Sequence, residues 1–319
     1  MNPRFHSSRL LFFGALAFLA GCNRGEKTAA VSGAPAAPAK PTIAFVMKTL
    51  NNPFFIDMQK GAEEAGAKLG VNVVVQAAER EVDVERQMQI IENLIERKVS
   101  ALCITPSGSR EIVPVIVKAN KAGIPVLIVD TRADEKALVA AGGKVATFIG
   151  SDNYDGGKLA GEFIGAKLGG QGAVAVLEGI PGHETGDSRL HGFRDAVAKF
   201  PGLKIVASQP ANWERDQGFN VFQNILQAHP EVQALFACSD LMALGATEAI
   251  AAAGKTGKIT VVGFDALPEA RDDIKKGVMS ATVAQFSTRM GAMAVEYAVK
   301  QLAGEKIPEF TPVPIELIK

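Results

Sequence analysis

Short apolar runs rich in β-branched residues recur along the chain. They begin near residues 42 (TIAFVM), 71 (VNVVVQA), 101 (ALCIT), 125 (PVLIVD) and 146 (ATFIGS), and again near 173 (AVAVLEG), 203 (LKIVAS), 234 (ALFACS), 259 (ITVVGF) and 280 (SATVAQ). Subtracting successive starts gives spacings of 29, 30, 24 and 21 residues in the first set and 30, 31, 25 and 21 in the second. Each interval accommodates one strand and one crossover helix. Between the runs the apolar period becomes helical: Val84, Met88, Ile91, Leu94 and Ile95 recur at three and four within VERQMQIIENLIER, giving one buried face. The strands are continuously apolar instead of alternating, which predicts sheets covered on both faces. The matching rhythms predict an internal repeat, two parallel α/β lobes.

The first segment is of another kind. Residues 1–9 carry Arg4 and Arg9 with no acid, and residues 10–20 (LLFFGALAFLA) form an apolar run short for a bilayer span, the pattern of a secretory signal. The run closes on Leu19-Ala20-Gly21-Cys22, which resembles the lipobox of bacterial lipoproteins and implies cleavage after residue 21 and a lipid on Cys22; an ordinary signal peptide with a chance cysteine is the other reading. Residues 22–41 are small, polar and punctuated by proline, with nothing to bury, and read as a flexible tether. The folded body therefore starts near Thr42. Cys103 and Cys238 sit in apolar runs in different halves of the repeat, so free buried thiols are expected.

Composition narrows the function. In 319 residues, 47 % hydrophobic and 21 % charged, neither a multi-pass membrane protein nor a disordered or disulfide-dense chain finds support. Charges balance at 34 basic and 34 acidic; removing residues 1–21 takes two arginines and leaves 32 against 34. Nucleic acid is therefore not an expected partner, and a small neutral one fits better.

Ligands of open parallel sheets bind beyond the carboxyl ends of the strands, and here the residues ending the runs are polar. Lys48 and Asn52 follow the first run, Thr105 the third and Asp130 the fourth; Ser239 with Asp240, Asp265 and Gln285 do so in the second half. Carboxylates beside amides and a cation satisfy hydroxyl groups, which both donate and accept. Aromatics are scarce, yet Phe54 and Phe55 follow Asn52-Pro53, and the single tryptophan, Trp213, lies in a loop-like stretch of the other half. Flat rings suit the C–H faces of a sugar. Phe55 equally fits a helix-start core residue and Trp213 a packing residue. Lys48 is assigned to the site, a solvated strand end being the lesser alternative. The aspartates fit helix caps, the reading preferred for Asp240, whereas Asp130 and Asp265 are assigned to the site.

Six ordered motifs carry a family resemblance: Thr49-Leu50-Asn51-Asn52-Pro53-Phe54-Phe55, Ile149-Gly150-Ser151-Asp152-Asn153, Ser208-Gln209-Pro210-Ala211-Asn212-Trp213, Met242-Ala243-Leu244-Gly245, Val262-Gly263-Phe264-Asp265 and Ala281-Thr282-Val283-Ala284-Gln285. From Thr42 to Lys319 the chain resembles ribose-type periplasmic binding proteins. The resemblance implies the type I solute-binding fold, two Rossmann-like lobes joined by a three-segment hinge near Gly150, Gln285 and Pro314. The lobes would comprise residues 42–149 plus 286–313 and residues 150–285 plus 314–319. It further implies closure around a monosaccharide and delivery to an ABC transporter permease. Asn52, Phe54, Phe55, Asp130, Trp213, Asp265 and Gln285 match the family's binding positions. Thr131, Thr105, Ser239 and Asp187 depart from the ribose pattern, two of them, Thr131 and Asp187, where arginines are expected. Lys48 with an acid near 187 resembles the allose-binding branch, with Arg189 or Arg132 as the displaced guanidinium; polyols and inositols stay open.

No enzyme motif competes. There is no G-x-S-x-G and no H-E-x-x-H among His6, His183, His191 and His229, and Gly254-Lys255-Thr256 lacks the glycine a phosphate loop needs at position 249, which is Ala. No cofactor or metal is expected, and nothing calls for more than a monomer. A sugar-responsive repressor would open on a helix-turn-helix instead of a signal. A sensor presenting its closed form to a membrane receptor fits the same features as transport.

Overall fold

The computed structural model describes residues 40–319. The export signal, Cys22 and most of the tether lie outside the described residues.

The first half runs β1 (Thr42–Thr49), α1 (Pro53–Leu69), β2 (Asn72–Ala78), α2 (Val84–Glu96), β3 (Ala101–Ile104), α3 (Val113–Lys121), β4 (Val126–Val129), α4 (Glu135–Ala140) and β5 (Thr147–Ser151). The second runs α5 (Asn153–Lys167), β6 (Gln171–Glu178), α6 (Glu184–Val197), β7 (Gly202–Pro210), α7 (Arg215–Ala228), β8 (Val232–Ala237), α8 (Asp240–Ala252), β9 (Thr260–Asp265), α9 (Pro268–Lys275) and β10 (Ala281–Ala284). Then follow α10 (Ser287–Leu302), β11 (Phe310–Val313) and β12 (Glu316–Ile318). The strands assemble into two six-stranded sheets, ordered β11-β5-β4-β3-β1-β2 and β12-β10-β9-β8-β6-β7. The two orders correspond strand for strand, so the repeated rhythm of the sequence is a repeated lobe, an N-lobe around the first sheet and a C-lobe around the second. The chain passes between them after β5, after β10 and after β11.

One strand breaks the parallel expectation. β12 pairs antiparallel with β10. β11 climbs its own sheet toward the carboxyl ends of the strands, so the chain enters the C-lobe from that end and can only run back down.

The central strands are buried on both faces: every residue of β3, β4 and β10 is inaccessible or nearly so. Helix α2 turns Ile90, Ile91, Leu94 and Ile95 inward, each worth about 1.5–3 kcal/mol of burial. Gln87 on the same face is fully buried, and its amide binds the ends of two strands: Nε2 donates to the carbonyls of Met47 (3.2 Å) and Thr105 (2.9 Å), and Oε1 accepts from Ser107 N–H (2.8 Å). It fixes the strand ends from which Lys48 projects.

Three helix pairs flanking the sheets meet through glycines. A methyl on Gly61 would fall on the Thr288 carbonyl, and one on Gly291 on that of Met58, joining α1 to α10; Gly218 and Gly245 relate α7 and α8 in the same reciprocal way. Between α5 and α6, Gly157 faces the carbonyl oxygen of Arg189 and Gly192 that of Tyr154. This approach sets the depth at which α6 holds Arg189. Gly157→Ala is therefore expected to destabilise the protein by about 1–3 kcal/mol through overpacking and to displace Arg189. An unfolding midpoint equal to that of the unsubstituted protein would show that the helices have room to separate.

Candidate functional site

Strands of both sheets end toward one cavity of about 30 Å³, far below the usual range of about 300–1,000 Å³ for small-molecule sites. The N-lobe contributes Lys48, Asn52, Phe54, Phe55, Glu81 and Asp130; the C-lobe contributes Thr185, Arg189, Trp213, Ser239 and Asp265, and Gln285 stands at the second crossing.

In the N-lobe half, Lys48 is 2 % exposed. Its Nζ lies 3.5 Å from Asp130 Oδ2 and 3.7 Å from Glu81 Oε2, a cation held between two carboxylates. Asn52 caps α1, its Oδ1 accepting from Phe54 N–H (3.0 Å), while Nδ2 donates to Glu81 Oε1 (3.3 Å). One side chain thus starts the helix and orients an acid. Phe54 and Phe55 meet edge to face at 5.2 Å, and Lys48 Nζ is 5.8 Å from the Phe55 ring.

In the C-lobe half, Arg189 is locked on every side. Nε donates to Asn153 Oδ1 (2.9 Å), an Nη donates to the Cys238 carbonyl (2.7 Å), and Asp265 Oδ1 lies 3.7 Å from the same nitrogen. Its guanidinium stacks on Phe264 at 3.8 Å. Gln285 Nε2 donates to Asp265 Oδ1 (2.6 Å). The Trp213 ring covers Gly179, where a Cβ would collide with the ring.

Backbone geometry concentrates here. Asp130 has φ 66°, Asp265 φ 117°, and Asn212 and Trp213 φ 52° and 67°, in a region non-glycine residues rarely occupy. Such conformations cluster at functional sites, where surrounding contacts over-determine them. Electrostatics agree. Burial raises the Glu81 carboxyl above its ordinary range against the pull of Lys48 and of Asn52. Burial also lifts Asp265 to about 7, although Arg189 and Gln285 work against it. His183, beside the cavity, falls to about 4 through burial and the charge of Lys48, so its ring is neutral at pH 7. The arrangement offers fixed carboxylates, amides and two cations between aromatic rings, equipment for binding hydroxyls. Among the described residues no cluster of histidine, cysteine or carboxylates could hold a metal ion.

With this geometry the comparisons with known proteins agree. Residues 43–306 match the family described as periplasmic binding protein domain. The chain belongs to that family. It is 41 % identical over 282 residues to the ribose import binding protein of Salmonella typhimurium, covering 88 % of this chain and 92 % of the relative. It is 39 % identical to the D-allose-binding periplasmic protein of Escherichia coli, covering 86 % and 91 %. An ABC transporter periplasmic solute binding protein from Actinobacillus succinogenes, solved with bound D-allose, superposes with a TM-score of 0.85 at 42 % identity, covering 88 % of this chain and 98 % of that one.

Within this periplasmic binding fold most of the residues singled out from the sequence converge, but three stand elsewhere. Thr105 lies beneath the cavity, where its Oγ1 accepts from Lys48 N–H (3.0 Å). Thr131 turns its hydroxyl onto Asp130 Oδ2 (2.9 Å) and orients that acid without lining the cavity. Asp187 is exposed on the outer side of α6 and borders a different opening between the lobes. Of the two guanidinium candidates, Arg189 is in the cavity; Arg132 packs against Phe148 (3.9 Å) and Phe310 (4.7 Å) outside it. Lys48 is buried and not a solvated strand end. The α8 cap is Ser239, whose Oγ accepts from Met242 N–H, while Asp240 occupies the first turn and accepts from Thr282 Oγ1 (2.7 Å) and Leu267 N–H (2.8 Å).

Glu81 and Thr185 escaped the sequence reading. Glu81 follows the second apolar run by a few residues, one of the two strand ends of the first half passed over, and the strand-end argument applied there points to it. Thr185 lies in the first turn of α6, after a loop that ends on no apolar run, so no local signal marks it.

The Asp265 titration has a consequence for stability. Its native pKa of about 7 lies above the ordinary 3.8, so the native state holds the extra proton between those values. The stability this provides is complete below pH 4 and is lost as pH rises through 7. Asp265→Asn is therefore expected to melt higher than the unsubstituted protein in the ligand-free state at pH 8, with the difference shrinking toward pH 5. A melting difference constant from pH 5 to pH 8 would contradict this.

Proposed function

We propose that this chain is the extracytoplasmic capture component of an ABC importer, closing around one neutral, allose- or ribose-like monosaccharide and presenting it to a membrane permease. In this reading residues 1–21 direct export, Cys22 carries the lipid anchor, and residues 22–41 tether the two lobes at the membrane. The observation that carries it is the meeting, in one small cavity, of strand-end carboxylates from both lobes, Asp130 and Asp265, each beside its own cation and a neutral hydrogen-bond donor, the Thr131 hydroxyl and the Gln285 amide. The relatives named for ribose and for D-allose, and the solved neighbour with D-allose bound, support a sugar as the occupant. Buried Lys48 supports the allose-like choice, whereas Asp187, the acid coupled with it in the sequence, lies outside the cavity.

A ligand bridging the lobes makes all of its contacts only when they are closed, so binding shifts the population toward the closed state. Asp130 and Asp265 accept its hydroxyls, Lys48, Arg189 and Gln285 hold those carboxylates in place and donate, Asn52 orients Glu81, and Phe55 and Trp213 cover the ring faces. Thr131 and Thr105 act one step behind.

The reading is tested by a melting-temperature screen against pentoses, hexoses, pentitols and myo-inositol, with nucleosides and amino acids as controls, since a ligand of the folded state raises its melting point. D-Allose or D-ribose should give the largest rise. Asp130→Ala or Asp265→Ala should weaken the selected sugar by about 100-fold. A rise only with a nucleoside or an amino acid would overturn the sugar assignment, and a rise confined to myo-inositol would transfer the site to polyols.

A further inference from the structure

Arg132 takes no part in the cavity and is exposed, yet its guanidinium is seated against aromatic rings. It packs against Phe148 of β5 at 3.9 Å and Phe310 of β11 at 4.7 Å, two rings that stack on each other at 5.6 Å. From this N-lobe position it borders an opening between the lobes whose opposite wall includes Glu184 of the C-lobe. Glu184 stands in the first turn of α6. Its Oε1 accepts from Ser188 Oγ (3.2 Å), and its Oε2 is buried with no hydrogen-bond partner. Burial raises that carboxyl above its ordinary range, and the positive charge of Arg132 across the cleft works against it. Each partner is also wired to the candidate site by the chain itself. Arg132 follows Asp130 by two residues, through a turn in which Asp130 has φ 66°, and Glu184 immediately precedes Thr185, which lines the cavity.

We propose that Arg132 and Glu184 are a cross-cleft closure pair, positioning residues that draw the lobes together and raise ligand affinity without touching the ligand. The inference rests on the reading that a ligand binds between the lobes. Two features suit the pair to this role. Stacking preorganises the guanidinium, so little freedom is lost when the carboxylate arrives, and the unpartnered oxygen gives the glutamate a reason to seek it. Because the turn carrying Arg132 also carries Asp130, and the turn carrying Glu184 also carries Thr185, the distance between the pair shortens with the distance across the cavity. Attraction at the rim therefore adds to whatever the ligand contributes.

The test is a double-mutant cycle of Arg132→Gln, Glu184→Gln and the pair together, read by two methods. Small-angle X-ray scattering of the ligand-free protein follows closure at about 20 mM and about 500 mM salt, where screening differs strongly. Calorimetry follows binding of D-allose and of D-ribose as probes. Each single variant is expected to be more expanded than the unsubstituted protein at low salt, to have lost its salt response, and to bind about two- to fivefold more weakly. The double variant should lose no more than either single one. Glu184→Gln matching the unsubstituted protein in low-salt scattering, or losses that add in the double variant, would overturn the pair. If neither sugar binds, the sugar reading fails on its own, and the ligand-free scattering still decides between pair and no pair.

Discussion

Five ionisable side chains buried between two apolar lobes govern how the rest of this molecule is arranged. Lys48, Glu81, Asp130, Arg189 and Asp265 are each at most 8 % exposed in their side chains. Removing each from water costs several kcal/mol, a cost that close pairing only partly offsets. Two cations face three carboxylates, so the free site cannot satisfy all five at full ionisation. The raised carboxyls of Glu81 and Asp265 are how the folded chain accommodates the surplus. A polyhydroxylated ligand supplies what is missing, hydrogen-bond donors that carry no charge. The same imbalance that makes the empty site costly makes it selective for an occupant that donates without adding charge.

That constraint explains the second tier of contacts. Gln87 has no role at the cavity, yet its amide ties together the ends of β1 and β3, and Thr105 then holds the backbone of Lys48. Thr131 fixes Asp130, and Thr282 fixes Asp240, the buried neighbour of Asp265. A carboxylate left to rotate would recover solvation by turning away from the cavity. These hydrogen bonds, with the left-handed backbone at Asp130 and Asp265, remove that freedom before any ligand arrives. Gln285 joins the network to the second lobe crossing: it bonds Asp265, and the next residue, Phe286, has φ 56° at the start of α10.

The architecture was legible in the sequence because burial on both faces leaves a coarse mark. Ten runs placed the first ten strands to within two residues, and their equal rhythm indicated the repeat before any contact was known. β11 and β12 escaped the run analysis, since FTPV and ELI are too short to carry a period. In the site, the legible residues were those one step past an apolar run, Lys48, Asp130, Ser239 and Asp265 among them, for the parallel sheet itself brings those positions together. Residues reached through helix packing left no such mark. Arg189 came into view only through the family resemblance, and Thr185 not at all, for both depend on how closely Gly157 and Gly192 let α5 and α6 approach. Thr105, Thr131 and Asp187 erred the other way. Position along the chain brought the first two to the right strand ends but could not tell a side chain facing the cavity from one supporting it.

The two halves of the site differ in what a change would cost. Arg189 is part of the C-lobe core: it satisfies Asn153 Oδ1, the carbonyl of buried Cys238 and Asp265, and it packs on Phe264. Replacing it strands three acceptors in a dry interior, each lost donor costing about 1–3 kcal/mol. In the N-lobe half the contacts run mainly between side chains, Lys48 to Glu81 and Asp130, Asn52 to Glu81, and Thr131 to Asp130, on residues at or beyond strand ends. An exchange there can be answered by another exchange in the same small group without disturbing a helix or a sheet. The arrangement therefore joins a rigid half, which fixes where a ligand lies, to a half whose hydrogen-bond code can be rewritten at low cost. In the proposed function, stereochemical choice among similar sugars falls to that rewritable half, to Lys48, Glu81 and Asp130.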